Sequence, residues 1–262
     1  MGLFRALIIG AFILVVPLAL ITTNIRVAIS EQPVYDYAVR HYGAEQASGI
    51  PQAELLRAND TIHDYLVNSR SGALSITVID QQGQAVSLFN IKETAHMADV
   101  RDLVGVLFLV QALALAGLIA LAVVMLAMWP PRALAAAALY GSVLTAGILA
   151  MAALLSLSGF DAAWSQFHGI AFTNDFWELD PSTDHLIQMF PEAFWFDITM
   201  LIGVATMAEA VLISACSVGY LMLSRPRGER KVTPEPRPAL PRPPYEERQR
   251  HITAPDPRHW VR

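Results

Sequence analysis

The chain has 262 residues, of which 54% are hydrophobic and 16% charged, and its formal net charge is −5. Such a composition belongs to a protein that lives in a bilayer, and the negative balance gives no case for a nucleic-acid partner. The single cysteine, Cys216, excludes an intramolecular disulfide and a cysteine-based zinc site.

The first predicted element is an apolar run over Phe4–Thr23. It meets the need for about 20 apolar residues to cross about 30 Å of hydrocarbon. Arg5 precedes it, as in a signal peptide, but the run is too long for a signal core and no small-x-small cleavage site follows. It therefore reads as a signal-anchor, transmembrane helix 1 of residues 1–23. Residues 24–101 read as a small α+β cap. Within it, Val34–Tyr42 and Pro51–Leu66 have helical character, with Leu55, Leu56, Ile62, Tyr65 and Leu66 forming a stripe. Leu74–Asp80 and Ala85–Phe89 read as two strands around QQGQ, with Gly83 in the turn. From Ile91 the chain is expected to turn helical and run into the second span, residues 102–129.

The third span covers residues 133–157 and the fourth 198–223. Between them, residues 158–197 form an outer segment. Its stretch Phe167–Phe196 holds two histidines, five acids, eight Phe or Trp and no Lys or Arg. In that segment Asp180-Pro181 is expected to start a helix, and Pro191-Glu192 to restart one that feeds the fourth span. Residues 224–262 carry nine prolines among many charges and are expected to be a disordered tail. Ten of the eighteen basic residues lie in that tail, Arg132 sits between spans two and three, and Arg5 precedes span one. By the positive-inside rule both termini are cytoplasmic, and the cap and outer segment are extracytoplasmic. The expected fold is thus membrane all-α: four transmembrane helices, a small extracytoplasmic α+β cap and a disordered cytoplasmic tail.

Two places carry ionisable groups at the outer bilayer edge, where such groups are costly and point to function. In ETAHMADVRDL, Glu93, His96 and Asp99 are three residues apart and share a helix face. In FHGIAFTNDFW, His168 follows span three by two to three helical turns. Taken singly, each histidine is equally well an interfacial residue with a satisfied hydrogen bond. Together, at matching depth and with acids beside both, they favour a site. Asp99 and Asp175 are candidates to orient the imidazoles. Asp184 is a further supporting candidate, although it and His185 diverge on a helix. Phe172, Trp177, Phe194 and Trp195 read either as an interfacial aromatic belt or as a pocket for acyl chains. Ser165 lies near His168, but there is no G-x-S-x-G elbow, and no H-E-x-x-H helix is present. What remains is two-histidine acid/base chemistry with no protein nucleophile, for which no cofactor and no metal are expected.

At these residues the chain resembles the lipoprotein intramolecular transacylase (Lit) family. The resemblance rests on HMADV at His96–Val100, FHGIAFTNDFWELDP at Phe167–Pro181 and TDHLIQMFPEAFWFD at Thr183–Asp197, and it covers about Phe4 to Leu223. It implies a diacylglyceryl lipoprotein as substrate, held beside membrane lipid. It implies transfer of the sn-2 acyl chain to the α-amino group of the N-terminal cysteine, giving a lyso-form lipoprotein. It places the catalytic pair at His96 and His168. Two other readings stay open on the residues alone. One is a metal-dependent membrane hydrolase or acyltransferase using the same histidines. The other is a non-catalytic envelope binding protein. Oligomeric state is not legible.

Overall fold

The structure is a computed structural model that describes residues 2–68, 72–157 and 159–224. The proline-rich tail, expected to be disordered, lies outside the described residues. The described chain is mostly helical. Four of its helices are long and apolar enough to cross a membrane: α1 (Gly2–Ser30), α5 (Ile91–Met128), α6 (Pro131–Leu157) and α9 (Glu192–Leu223). α6 lies along both α9 and α1, and α1 lies along α5.

α1 runs seven residues past the apolar stretch that marks it in the sequence. The extension opens with two polar residues, Asn24 and Arg26, whose side chains are satisfied by neighbouring helices. Asn24 Nδ2 donates to Glu209 Oε2 on α9 at 2.8 Å. Arg26 donates to Gln111 Oε1 on α5 at 2.9 Å and lies over the Phe108 ring, 4.5 Å from its centroid. Interhelical hydrogen bonds of this kind hold spans together where no hydrophobic force acts between helices. Close approach does the same: a Cβ on Gly141 of α6 would stand 2.7 Å from Val16 Cβ on α1. At the opposite end of these helices from the cap, Arg5 lies over Trp129, and Arg132 donates to Ser224.

Between α1 and α5 the chain folds into α2 (Gln32–His41), α3 (Ala44–Ser48), α4 (Gln52–Val67) and the antiparallel pair β1 (Thr77–Ile79) and β2 (Ala85–Ser87). The register is Thr77↔Ser87, Val78↔Val86 and Ile79↔Ala85. The strands are shorter than their sequence pattern, although Leu88 N still donates to Ile76 O beyond the ladder and Leu74, Ile76, Leu88 and Phe89 are buried in the core. Asp80 closes the turn by accepting from the backbone of Gln82 and Gln84, and Gly83 supplies the positive φ of 76°. One continuous core joins this cap to the outer segment. Leu55, Ile62 and Val78 pack with Met97 of α5, with Leu186, Met189 and Phe190, and with Phe194 and Ile198 of α9.

The outer segment holds α7 (Phe160–Ala171) and α8 (His185–Met189). The helix expected from Asp180 starts five residues later. Asp180 accepts instead from the backbone and hydroxyl of Ser182, a local turn that competes with helix entry. Pro191 does stand at the N-cap of α9.

Candidate active site

α5 opens on a capping box. Asn90 Oδ1 accepts from the Glu93 backbone at 2.9 Å, and Glu93 Oε2 accepts from the Asn90 backbone at 2.8 Å. Glu93 does more than cap. Its other oxygen accepts from the Leu186 backbone, 93 residues away, at 2.7 Å. Asn90 Nδ2 in turn donates to Asp184 Oδ1, whose second oxygen accepts from the Asp180 backbone at 2.8 Å. Glu93 and Asp184 are both buried. Burial raises the Glu93 pKa, and the nearby Asp184 charge adds to the rise. This polar tie fixes the first turn of α5 against α8. Asp184 thus belongs to the tie, and His185 bonds to Gln188.

One turn further along α5 is His96, before the apolar run of the helix begins. It is buried, and its Nδ1 has no hydrogen-bond partner among the described residues. A buried polar atom without a partner carries a real free-energy cost and calls for an explanation. Burial pushes the His96 pKa down, and the neighbouring His168 imidazole pushes the same way. Asp99 opposes them, and the result is about 4.

His168 comes from α7. Its ring centroid is 6.0 Å from that of His96. It is the one buried residue of α7. Its Nδ1 lies 2.8 Å from the carbonyl oxygen of Trp164, one turn back on the same helix. A carbonyl only accepts, so Nδ1 carries the proton and the Nε2 of the neutral ring keeps its lone pair. Burial lowers the His168 pKa, and the Trp164 carbonyl opposes that.

Aromatic rings enclose the pair. Phe172 presents its edge to His96 at 5.1 Å and lies 5.6 Å from His168. Trp164 and Trp177 flank His168 at 4.7 and 5.1 Å. Trp195 stacks on Trp164 at 5.0 Å and donates its indole N–H to the Phe190 carbonyl. Phe172, Trp177 and, at one remove, Trp195 thus surround the histidines. Phe194 sits elsewhere, in the cap core beside Tyr42 and Phe190.

The acids divide in the same way. Asp99 accepts from Asn174 Nδ2 at 2.9 Å, which pins the loop that carries Phe172 and Trp177. Asp175 is exposed, and Nδ1 of His168, the ring it is a candidate to orient, goes to the Trp164 carbonyl instead. Among the described residues no three of His, Cys, Asp and Glu gather as a metal site. Sequence reading does not find Asn174 or the long-range bond of Glu93, and it offers Trp164 only as one ring of the aromatic belt or pocket. The spacing Asn90-x-x-Glu93 is the one local signal, and it foretells only the cap.

A family model described as lipoprotein intramolecular transacylase Lit matches residues 10–195. No curated protein matches the chain. Among solved structures, the membrane integral lipoprotein intramolecular transacylase Lit from Bacillus cereus is similar at a TM-score of 0.70 and 19% identity, covering 85% of this chain and 98% of that one. Two further structures of that protein, with one histidine replaced by arginine or by alanine, each align at a TM-score of 0.66 and 20% identity.

Proposed function

Because the chain belongs to the lipoprotein intramolecular transacylase family, we propose that His96 and His168 are the acid–base pair with which it moves an acyl chain within a lipoprotein. It is a membrane enzyme, an intramolecular transacylase. The finer reading concerns substrate and mechanism. The substrate is a lipoprotein whose N-terminal cysteine bears a diacylglyceryl thioether, and the sn-2 acyl chain passes to the α-amino group of that cysteine.

One observation carries the mechanism. Two buried, neutral imidazoles lie 6.0 Å apart between ring centroids, one with its tautomer set and the other with an unpartnered nitrogen. The amine nitrogen attacks the ester carbonyl carbon and gives up its proton to Nε2 of His168. The new C–N bond makes a tetrahedral centre whose oxygen bears the charge, and His96 is within reach to stabilise it. The C–O bond to the glyceryl oxygen then breaks, and that oxygen takes the proton back from the His168 imidazolium. Amide and free hydroxyl are the products, and protons balance without a cofactor. Both reacting groups belong to one molecule, so the ring-lined pocket contributes chiefly by orienting them.

Topology follows the same reading. Arg5 and Arg132 lie at the end of the bundle opposite the histidines, which supports a cytoplasmic face there and an extracytoplasmic site.

The test is mass spectrometry of lipoprotein N-termini from cells carrying the wild-type protein, His96→Ala or His168→Ala. Loss of a proton-transfer group typically costs about 10²–10⁴ in rate, so each variant should leave almost no lyso-form product while staying folded. Near-normal product from either variant would remove the two-histidine mechanism. Abolition of wild-type activity by a chelator would favour the metal-dependent reading.

A further inference from the structure

α7 has 12 residues and spans about 18 Å, too little to cross a bilayer of about 30 Å. Its surface nevertheless splits into three sectors. One sector packs on protein: Phe160 meets Phe196 edge-on at 5.3 Å, Trp164 stacks on Trp195, and His168 is buried beside them. A second sector is apolar and uncovered, with Ile170 86% exposed and Phe167 43% exposed. A third sector, about half a turn away, carries Asp161 and Ser165, also exposed.

The uncovered apolar sector is continuous with a surface that already faces lipid. Phe196, against which Phe160 packs, is itself exposed, and Met200, Leu201 and Val204 continue the exposed apolar band down α9. A short helix with one apolar flank and one polar flank, joined to the lipid-facing side of a span, fits the bilayer boundary and not bulk water. We propose that α7 is an in-plane helix seated at that boundary, with Phe167 and Ile170 in lipid and Asp161 and Ser165 in water. His168 then stands on the inner side of a helix that is itself in contact with acyl chains. On the transacylase reading, on which this consequence rests, an acyl chain reaches the histidine from the side without leaving hydrocarbon.

The test uses the full chain with Cys216→Ser, reconstituted in vesicles of phosphatidylcholine and phosphatidylglycerol. A nitroxide is placed singly at Phe167, Ile170, Asp161 or Ser165. Collision with oxygen and with a water-soluble nickel chelate is read by power saturation. The first two labels should be oxygen-rich and nickel-poor, and the last two the reverse. Equal nickel access at all four would put α7 in water and overturn the proposal. Equal exclusion of nickel at all four would bury the whole helix in the bilayer and overturn it as well. Shielding of Phe167 and Ile170 from both reagents would mean that another protein surface, such as a second copy of the chain, covers them, and this too would overturn the placement in lipid. No outcome depends on turnover, so the placement of α7 and the transacylase reading can fail separately.

Discussion

Both ends of the helical bundle combine aromatic rings with ionisable groups, yet they differ in how fully those groups are engaged. At one end Arg5 lies over Trp129, and Arg132 donates to Ser224. These residues anchor the helix ends. At the other end His96, His168, Glu93 and Asp184 are all buried. Glu93 accepts from the distant Leu186 backbone and Asp184 from the distant Asn90 side chain, whereas His96 keeps a nitrogen without a partner among the described residues. Aromatic and charged composition alone therefore does not mark a site. Burial with unused hydrogen-bonding capacity beside a second buried imidazole does.

The sharpest way to break that contrast sets two aromatics of the outer end against each other. Phe194 is 2% exposed in the cap core, and truncation of such a residue costs about 3–5 kcal/mol. Phe194→Ala should lower thermal stability strongly but leave turnover per folded molecule near wild type. Trp177→Ala should do the opposite, reducing turnover with a small change in melting. If both variants behave alike, the division between cap core and histidine pocket is wrong.

A smaller effect is expected from Glu93→Gln. Both carboxylate oxygens accept from backbone N–H groups, and an amide can serve only one of them without strain. An orphaned buried donor costs about 1–3 kcal/mol, which chemical denaturation would read. His96 lies one turn away, so kcat should fall with the change while KM moves little. Unchanged stability and kcat together would show the tie to be idle.

The pH profile bears on the histidines directly. Burial holds both below the ordinary value of 6.5, and an unfolded chain binds their protons at that value. Between 6.5 and about 4 the unfolded state therefore binds more protons, so stability drops as the medium is acidified through that window and gains nothing above it. On the proposed mechanism the base must be neutral to act. The two imidazoles, followed by NMR, should titrate with midpoints below 6.5. A midpoint at neutral pH or above would contradict the buried, neutral pair. Least of all should change in Asp175→Asn, since that carboxylate is exposed, and turnover should stay within about twofold because surface substitutions rarely exceed about 0.5 kcal/mol.

The spans are legible in the sequence because hydropathy over 20 residues is a bulk property. The histidine pair is legible because two ionisable rings beside apolar runs are costly and therefore informative. The rest depends on contacts with no local trace. Glu93 reads as a cap, but its bond to Leu186 joins residues 93 apart. Asp99 reads as a partner for His96, and the structure gives its oxygen to Asn174. Glu209 and Gln111, polar groups inside apolar spans, are visible in the sequence, but their partners Asn24 and Arg26 lie on another helix. Phe194 and Trp195 are neighbours, and only tertiary packing sends one to the cap core and the other toward the histidines.

The group that orients His168 is a main-chain carbonyl, not a carboxylate. A side-chain orienter can be erased by a single codon change, whereas the Trp164 carbonyl persists whatever residue occupies that position. Only a break in the winding of α7 between residues 164 and 168 can free the imidazole. The tautomer of this imidazole is thereby protected against point mutations at position 164 and exposed to helix breakers: a proline at Gln166 or Phe167 threatens it without touching the ring.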